Sequence, residues 1–273
     1  CAVGVCENLN DKDWILSTHR PHGHAIAKGV SLKSMMAELF AKETGCCGGF
    51  GGSMHVGDIN KGSVPAIAIV GGNIPIATGV ALSFKMQKRK NVVCCFLGDG
   101  AINEGAFHEG VNMASIWGLP LIFVCENNLY GASTRIESMI GVEKLTDRLK
   151  GYGVKSFSVD GMDVTKVYTM INNLIKKIKS GQGPFFLECK TYRFVGHSRS
   201  DTNKYRQKSE EIFWKKKDPI IRIEKKLAKE KILDNLSINK IHEEIKYELN
   251  QAVKFAKSSP HPKILNMKKY VYA

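Results

Sequence analysis

The sequence has no stretch of 18 residues free of charge, glycine and proline, and no visible signal peptide, so neither a membrane span nor a membrane partner is expected. It has no internal repeat, and its glycine-rich loop lacks the GK[ST] ending of a P-loop. The eight cysteines include the adjacent pairs Cys46-Cys47 and Cys94-Cys95, which fit neither zinc spacing nor a disulfide framework. Buried free thiols in a reducing compartment are the expectation. Acidic residues are scarce, 26 against 40 lysines and arginines, for a net charge of +14. That excess raises nucleic-acid binding as a function. The lysines, however, gather in amphipathic, helical-looking stretches such as Lys215 to Lys231 and Lys254 to Lys269, and no aromatic-basic strand motif accompanies them. Solvated helix faces explain the charge, and no nucleic-acid partner is expected.

What remains is the composition of a globular protein, 43% hydrophobic and 24% charged over 273 residues, enough for one large α/β domain. The sequence opens on Cys1 rather than Met, and Cys1 to Leu9 reads as the tail of a small-residue helix, which predicts a chain truncated at its N-terminus.

The chain is organised around Val92 to Tyr130. Val92 to Leu97 is an apolar run of the kind that forms a strand buried on both faces, and Leu121 to Cys125 is a second. Between them Phe107, Val111, Ala114 and Ile116 or Trp117 recur at helical spacing. This is a βαβ unit, and its crossover returns two parallel strand ends to one sheet edge, where open α/β folds bind ligands. Asp99, between Gly98 and Gly100, ends the first strand, and Asn127-Asn128 end the second. A carboxylate and an amide oxygen suit a hard divalent ion that completes its shell with phosphate oxygens and water. The flanking glycines let backbone amides approach a phosphate.

Elsewhere, Asp13 to Ser17 reads as a strand delivering Thr18-His19-Arg20-Pro21-His22-Gly23-His24 to the same edge. No Cys, Asp or Glu stands beside these histidines to complete a metal shell, whereas Arg20 suits an anion, particularly a diphosphate. Ser31 to Glu43 predicts an amphipathic helix capped by Ser31, with Leu32, Met35, Met36, Leu39 and Phe40 on its apolar side. Gly45 to Gly57 reads as a closely packed turn near the site, and Ile74 to Met86 as a buried helix whose Gly79 predicts close helix packing.

Beyond Tyr130 a polar turn precedes a short helix around Leu145 to Gly151, then a strand over Phe157 to Asp160, a helix over Val164 to Ile178 and a strand over Gly183 to Thr191. This rhythm predicts a three-layer α/β/α fold with a mostly parallel sheet. His197 begins the polar loop Arg193 to Lys208 at a further strand end. Two parts are expected: residues 1–208 as the α/β domain and residues 209–273 as a helical extension packed on it, with a helix start at Asp218-Pro219 and a final helix over Lys240 to Ala256.

HRPHGHAIAKG at 19–29, GGSMH at 51–55, IVGGNIP at 69–75, GDGAINEGAFHE at 98–109, ENNLYG at 126–131 and YRFVGHSRSD at 192–201 together resemble the alpha subunit of the thiamin-diphosphate-dependent decarboxylase component of 2-oxo acid dehydrogenase complexes. The resemblance covers residues 1 to about 220 and points to the pyruvate and acetoin types, pyruvate slightly ahead, with another 2-oxo acid dehydrogenase or a non-catalytic basic binding protein that keeps the fold as the alternatives. It implies a thiamin-diphosphate-binding fold and an oxidoreductase that decarboxylates pyruvate, or cleaves acetoin, and passes the two-carbon unit to lipoyl groups of a partner acyltransferase. It assigns Asp99, Asn128 and the Tyr130 carbonyl to Mg2+. Gly100, Ala101, His19, Arg20 and His197 fall to the diphosphate or the mouth of the site, Ala68 and Val70 to the aminopyrimidine through their backbone, and His197 and His22 to catalysis. His19 stands where many relatives carry tyrosine, and Ala68 where they carry glycine. The activating glutamate belongs, in this family, to a beta subunit, so an α2β2 assembly is expected, cytoplasmic if bacterial and mitochondrial or plastid-like if eukaryotic. Ser198 and Ser200 match loop positions that some mitochondrial relatives phosphorylate, where a phosphate would repel a nearby diphosphate.

Overall fold

The computed structural model describes residues 1–263; the end of the expected Lys254 to Lys269 stretch lies outside the described residues. Six strands form one sheet: β1 (Trp14–Leu16), β2 (Ser63–Val64), β3 (Val93–Gly98), β4 (Leu121–Asn127), β7 (Lys155–Asp160) and β8 (Phe185–Lys190). Their order is β2-β1-β3-β4-β8-β7, and every pairing is parallel. Two-residue strands β5 (Tyr130–Gly131) and β6 (Thr134–Arg135) make a separate hairpin beyond β4.

Helices cover both faces, which is why the central strands are apolar without alternation. Along β3, Val93, Cys95 and Leu97 face one core with α4 (Asn73–Met86) and α5 (Gly105–Ile116). Cys94 and Phe96 face the other, with α1 (Ala2–Cys6) and α6 (Val164–Lys179). β4 divides likewise, Leu121, Phe123 and Cys125 to the first core and Ile122 and Val124 to the second. Each fully buried aliphatic or aromatic side chain of this kind stabilises the fold by about 1.5–3 kcal/mol. Asp163 caps α6, its carboxylate accepting the Thr165 and Lys166 N–H groups.

Several expectations need correction. Ile116 and Trp117 face outward, and the core position on α5 belongs to Gly110. A Cβ there would come within 2.8 Å of Ile74, so the close approach of α4 and α5 lies at Gly110, whereas Gly79 has open space beside it. The helix expected over Ser31 to Glu43 is α3 (Leu32–Leu39); Ser31 occupies its N-cap without a side-chain capping bond, and the helix ends before Ala41, whose φ is +51°. Leu39 and Phe40 are exposed, and the face between Met35 and Glu38 turns inward instead. The segment near Leu145 is a tight 3-10 helix, Leu145–Tyr152. All eight cysteines are free thiols; Cys1, Cys46 and Cys47 are half-buried and the others buried.

From Arg193 the chain runs back over the fold. α7 (Lys208–Lys215) stacks Trp214 on Tyr192 at 5.5 Å, and α8 (Pro219–Lys229) ties Arg222 to Asp160 at 2.7 Å and Asp163 at 3.0 Å. α9 (Asn235–Ser258) packs on α3, where the Thr44 hydroxyl bonds Ser259 at 2.8 Å. Among the described residues no helix is long and apolar enough to cross a membrane.

Candidate functional site

The chain leaves β1 toward the β2 edge and returns to lay β3 on the other side of β1, so the strand order reverses between β1 and β3. A crevice opens at the carboxyl ends of strands at such a reversal. Asn73, buried at the start of α4, sits in it and donates to the carbonyls of Ser17 (3.2 Å), just after β1, and Phe96 (2.7 Å), near the end of β3. The amide props the two strand ends at a fixed separation. A cleft of about 780 Å³ opens there, lined by residues following β1, β3, β4 and β8.

Asp99 and Asn128 meet on its floor because β3 and β4 run in register up to Gly98 opposite Glu126. Asp99 is 1% exposed, and its Oδ1 accepts only a long bond, 3.4 Å, from the Asn128 N–H. Its Oδ2 is buried with no partner, and so is Asn128 Oδ1. Burial raises the Asp99 carboxyl to about 6. Two buried acceptor oxygens without donors are costly unless something positive meets them. A hard divalent cation fits this donor set. Leu129, between Asn128 and Tyr130, holds φ at +73°, a strained conformation for a leucine of the kind that gathers at ligand loops.

Above this floor the charge is positive. Arg20 donates to the carbonyl of His197 and reaches its Nδ1 at 3.2 Å. Arg193 donates to the Ala132 carbonyl at 2.8 Å and the Tyr205 hydroxyl at 2.9 Å. Burial and then Arg193 lower the Arg20 guanidinium, as expected of cations crowded without a carboxylate. His19 and His197 lie 6.2 Å apart, and burial followed by Arg20 lowers both, which favours their neutral forms. The N-terminal end of α4, with Gly71 (φ +77°) and Asn73, opens on the same cleft. Backbone amides there suit an anion. At Gly100 a Cβ would stand 3.3 Å from Gly131 Cα, so the turn after β3 has little room for a side chain.

Of the residues expected at the site, His19, Arg20, Ala68, Val70, Asp99, Gly100, Ala101, Asn128, Tyr130 and His197 all line this cleft. His22 does not: it begins α2 (His22–Ala27) and its Nε2 pairs with the Ser53 hydroxyl at 3.1 Å. The α2 backbone turns His24 inward instead. His24 is buried, stacked on Phe96 at 3.8 Å, with Nδ1 on Ser17 Oγ (2.7 Å) and Nε2 on Glu126 (3.3 Å). Burial pushes the Glu126 carboxyl up, but the charge and hydrogen bond of His24 outweigh it and hold it near 2. Glu126 lines the cleft, and neither it nor Asn73 and Arg193 was singled out in the sequence. Their signal was present only as position: one residue before Asn127-Asn128, at a predicted helix start, and just after a strand.

The glycine-rich loop is no phosphate cradle. Its amides at Cys47, Gly49, Gly51 and Gly52 all donate to the Glu38 carboxylate at 2.7–2.9 Å. Glu38 is 1% exposed, and a Cβ on Gly45 would stand 2.3 Å from its Oε2. The chain supplies its own anion, and the loop so fixed presents Met54 to the cleft.

Fold and cleft define a doubly wound α/β protein whose strand-end crevice joins a cation-seeking floor to a basic, amide-rich wall. The class becomes specific by comparison. Residues 1–265 match the dehydrogenase E1 component family, and the chain belongs to it. It is 45% identical over 263 residues to the alpha subunit of acetoin:2,6-dichlorophenolindophenol oxidoreductase from Bacillus subtilis, covering 96% of this chain and 78% of the relative. To the pyruvate dehydrogenase E1 component subunit alpha of Porphyra purpurea it is 38% identical over 279 residues, covering 100% and 81%. The acetoin:2,6-dichlorophenolindophenol oxidoreductase alpha subunit of Cupriavidus necator is 39% identical over 261 residues, covering 95% and 78%.

Proposed function

We propose that this chain is the alpha subunit of a thiamin diphosphate- and Mg2+-dependent dehydrogenase component that cleaves a carbon–carbon bond of acetoin or pyruvate. The two-carbon unit would pass to lipoyl groups of a partner acyltransferase. One observation carries the reading: Asp99 Oδ2 and Asn128 Oδ1, both buried and partnerless, lie at adjacent strand ends in the same cleft as the Arg20 and Arg193 side chains. A divalent cation held at the two oxygens and a diphosphate held at the arginines would satisfy both halves of that arrangement.

Asp99 and Asn128, with the Tyr130 carbonyl, would hold Mg2+; Arg20 and the Gly100 and Ala101 backbone would hold the diphosphate; Ala68 and Val70 would meet the aminopyrimidine through their backbone. Thiamin diphosphate, when bound, supplies the nucleophile and electron sink for carbon–carbon cleavage. His19 and His197, disposed to be neutral, can hold or pass a proton at the cleft mouth without opposing an anionic substrate. His22, whose Nε2 pairs with the Ser53 hydroxyl, would reach the chemistry only from beside the cleft, next to the glycine-rich loop. A beta subunit would complete the site in an α2β2 assembly. Identity favours acetoin, at 45% against 38% for the pyruvate enzyme; pyruvate is the second reading, which the sequence motifs alone put first.

Calorimetric titration of thiamin diphosphate with Mg2+, into the chain with and without a beta subunit, tests this. Saturable, magnesium-dependent binding in the assembled pair is expected, and its absence there overturns the reading. Lipoamide-coupled turnover with acetoin against pyruvate then separates the substrates.

A further inference from the structure

Cys46 and Cys47 sit in the glycine-rich loop, away from the strand ends. Their sulfurs and a Glu38 carboxylate oxygen all lie within 4.8 Å of one another. Both thiols are free and half-buried, whereas Cys6, Cys94, Cys95, Cys125 and Cys189 are buried. The loop conformation is fixed from outside the pair: Cys47 N–H donates to Glu38 at 2.8 Å and Cys46 N–H to the Ser34 carbonyl at 3.2 Å. The Cys47 thiol donates to the His55 carbonyl at 3.0 Å, and its sulfur lies within 4.8 Å of the Cys46 sulfur. The Cys47 S–H has one proton, so it serves the His55 carbonyl or the Cys46 sulfur and not both at once. Glu38 is the one carboxylate in the cluster, and its oxygens are already engaged by four backbone amides.

We propose that Cys46 and Cys47 form a thiol-disulfide exchange site for small disulfides of the glutathione type, with Cys46 as the attacking thiol and Cys47 as the resolving one. The Cys46 thiolate attacks one sulfur of the disulfide, forming a mixed disulfide and expelling one thiolate, which takes up a proton. Cys47, losing its proton, attacks the Cys46 sulfur and expels the second thiol. Two protein thiols become one disulfide and the small disulfide becomes two thiols, so electrons and protons balance.

Adjacent Cα atoms stand about 3.8 Å apart, below the usual range of about 4.4–6.8 Å for bridged cysteines. The product is therefore strained and easily reduced, as labile disulfides are. When Cys46 ionises, the Cys47 S–H can turn from the His55 carbonyl to the Cys46 sulfur, which draws the Cys46 thiol down to about 7 against burial and the Glu38 carboxylate. Cys47 is pushed up by the same hydrogen bond and by burial, as befits a thiol that acts second.

The test treats the full chain with glutathione disulfide, quenches by alkylation and maps each cysteine by peptide mass. With a thiol at about 7 and nucleophilicity falling with pKa, Cys46 is expected to react about 3-fold faster than an unperturbed accessible thiol at pH 7, and about 6-fold faster at pH 5.5. Wild type ends with Cys46 and Cys47 joined and two hydrogens lighter, a change that a millimolar monothiol reverses. C47S stops at the mixed disulfide on Cys46, and C46S leaves Cys47 unmodified. Prior modification of Cys47 or Cys1, or a wild-type mixed disulfide as persistent as that of C47S, overturns the proposal. Mapping of wild type alone decides the order of reaction if either variant fails to fold.

Discussion

Replacing Asp99 by asparagine separates what the carboxylate does for the fold from what it does for a ligand, because the two effects have opposite signs. Burial lifts the Asp99 carboxyl from 3.8 to about 6. A carboxyl raised on folding favours the protonated folded state, so its contribution to stability is whole below about pH 4 and is lost as pH rises through about 6. At pH 8 the shift of about two pKa units amounts to a loss of about 3 kcal/mol. Asp99 is 1% exposed, so solvent screening does not reduce that figure appreciably. Asp99→Asn does not titrate, and in chelator it should melt higher than wild type at pH 8 by on the order of 6–10 °C. By pH 5 the gap should fall to about half and by pH 4 nearly close. Added Mg2+ should raise the wild-type melting temperature and leave the variant's unchanged, since only wild type offers the anion that makes cation binding favourable. Thermal denaturation by circular dichroism at the three pH values, with and without Mg2+, reads all of this. Parallel pH profiles for the two proteins would refute the reasoning.

Arg20→Ala should weaken thiamin diphosphate binding in the assembled complex by about 10–100-fold, the worth of a charged hydrogen bond, as measured by calorimetry; an unchanged Kd would free Arg20 from the anion. Glu38→Ala strands four backbone amides around a void and should cost at least about 3 kcal/mol in urea denaturation, a loss well beyond that of an exposed glutamate such as Glu243. Asp163→Ala removes the N-cap of α6 and should cost about 1 kcal/mol by the same assay, with no effect on cofactor affinity. Gly110→Ala drives a Cβ to 2.8 Å from Ile74 and should destabilise by about 1–3 kcal/mol, whereas Gly79→Ala, with open space, should be neutral or stabilising.

The floor of the cleft was legible because periodicity and chain geometry act locally. Two doubly buried strands joined by one helix must return their ends to one edge, and Asp99 and Asn128 are fixed by that alone. What was not legible depends on which neighbour a side chain meets. Glu38 reads as one more polar residue on an amphipathic helix until four loop amides, nine to fourteen residues on, close around it. His22 and His24 are two apart on a short helix, and only the packing of α2 on Phe96 decides that the second turns inward. Gly79 and Gly110 look equivalent in sequence, but the contact between α4 and α5 selects one of them.

The wall of the cleft is as informative as its floor. Ile69 is 74% exposed and Val70 48%, and Met54, which lines the same cleft, is exposed as well. Single exposed apolar residues are ordinary, but several converging on the rim of a charged crevice mark a surface that another molecule covers. Ile69 and Val70 belong to the segment proposed to meet the aminopyrimidine. A chain that finished the site alone would turn this rim inward, as it turns Phe96 and Phe107. In the proposed function the polar half of the crevice would take a cation and an anion, and its apolar half would meet a protein surface. That division follows from the side chains themselves, and it is the feature of this chain that the proposed two-subunit site would use.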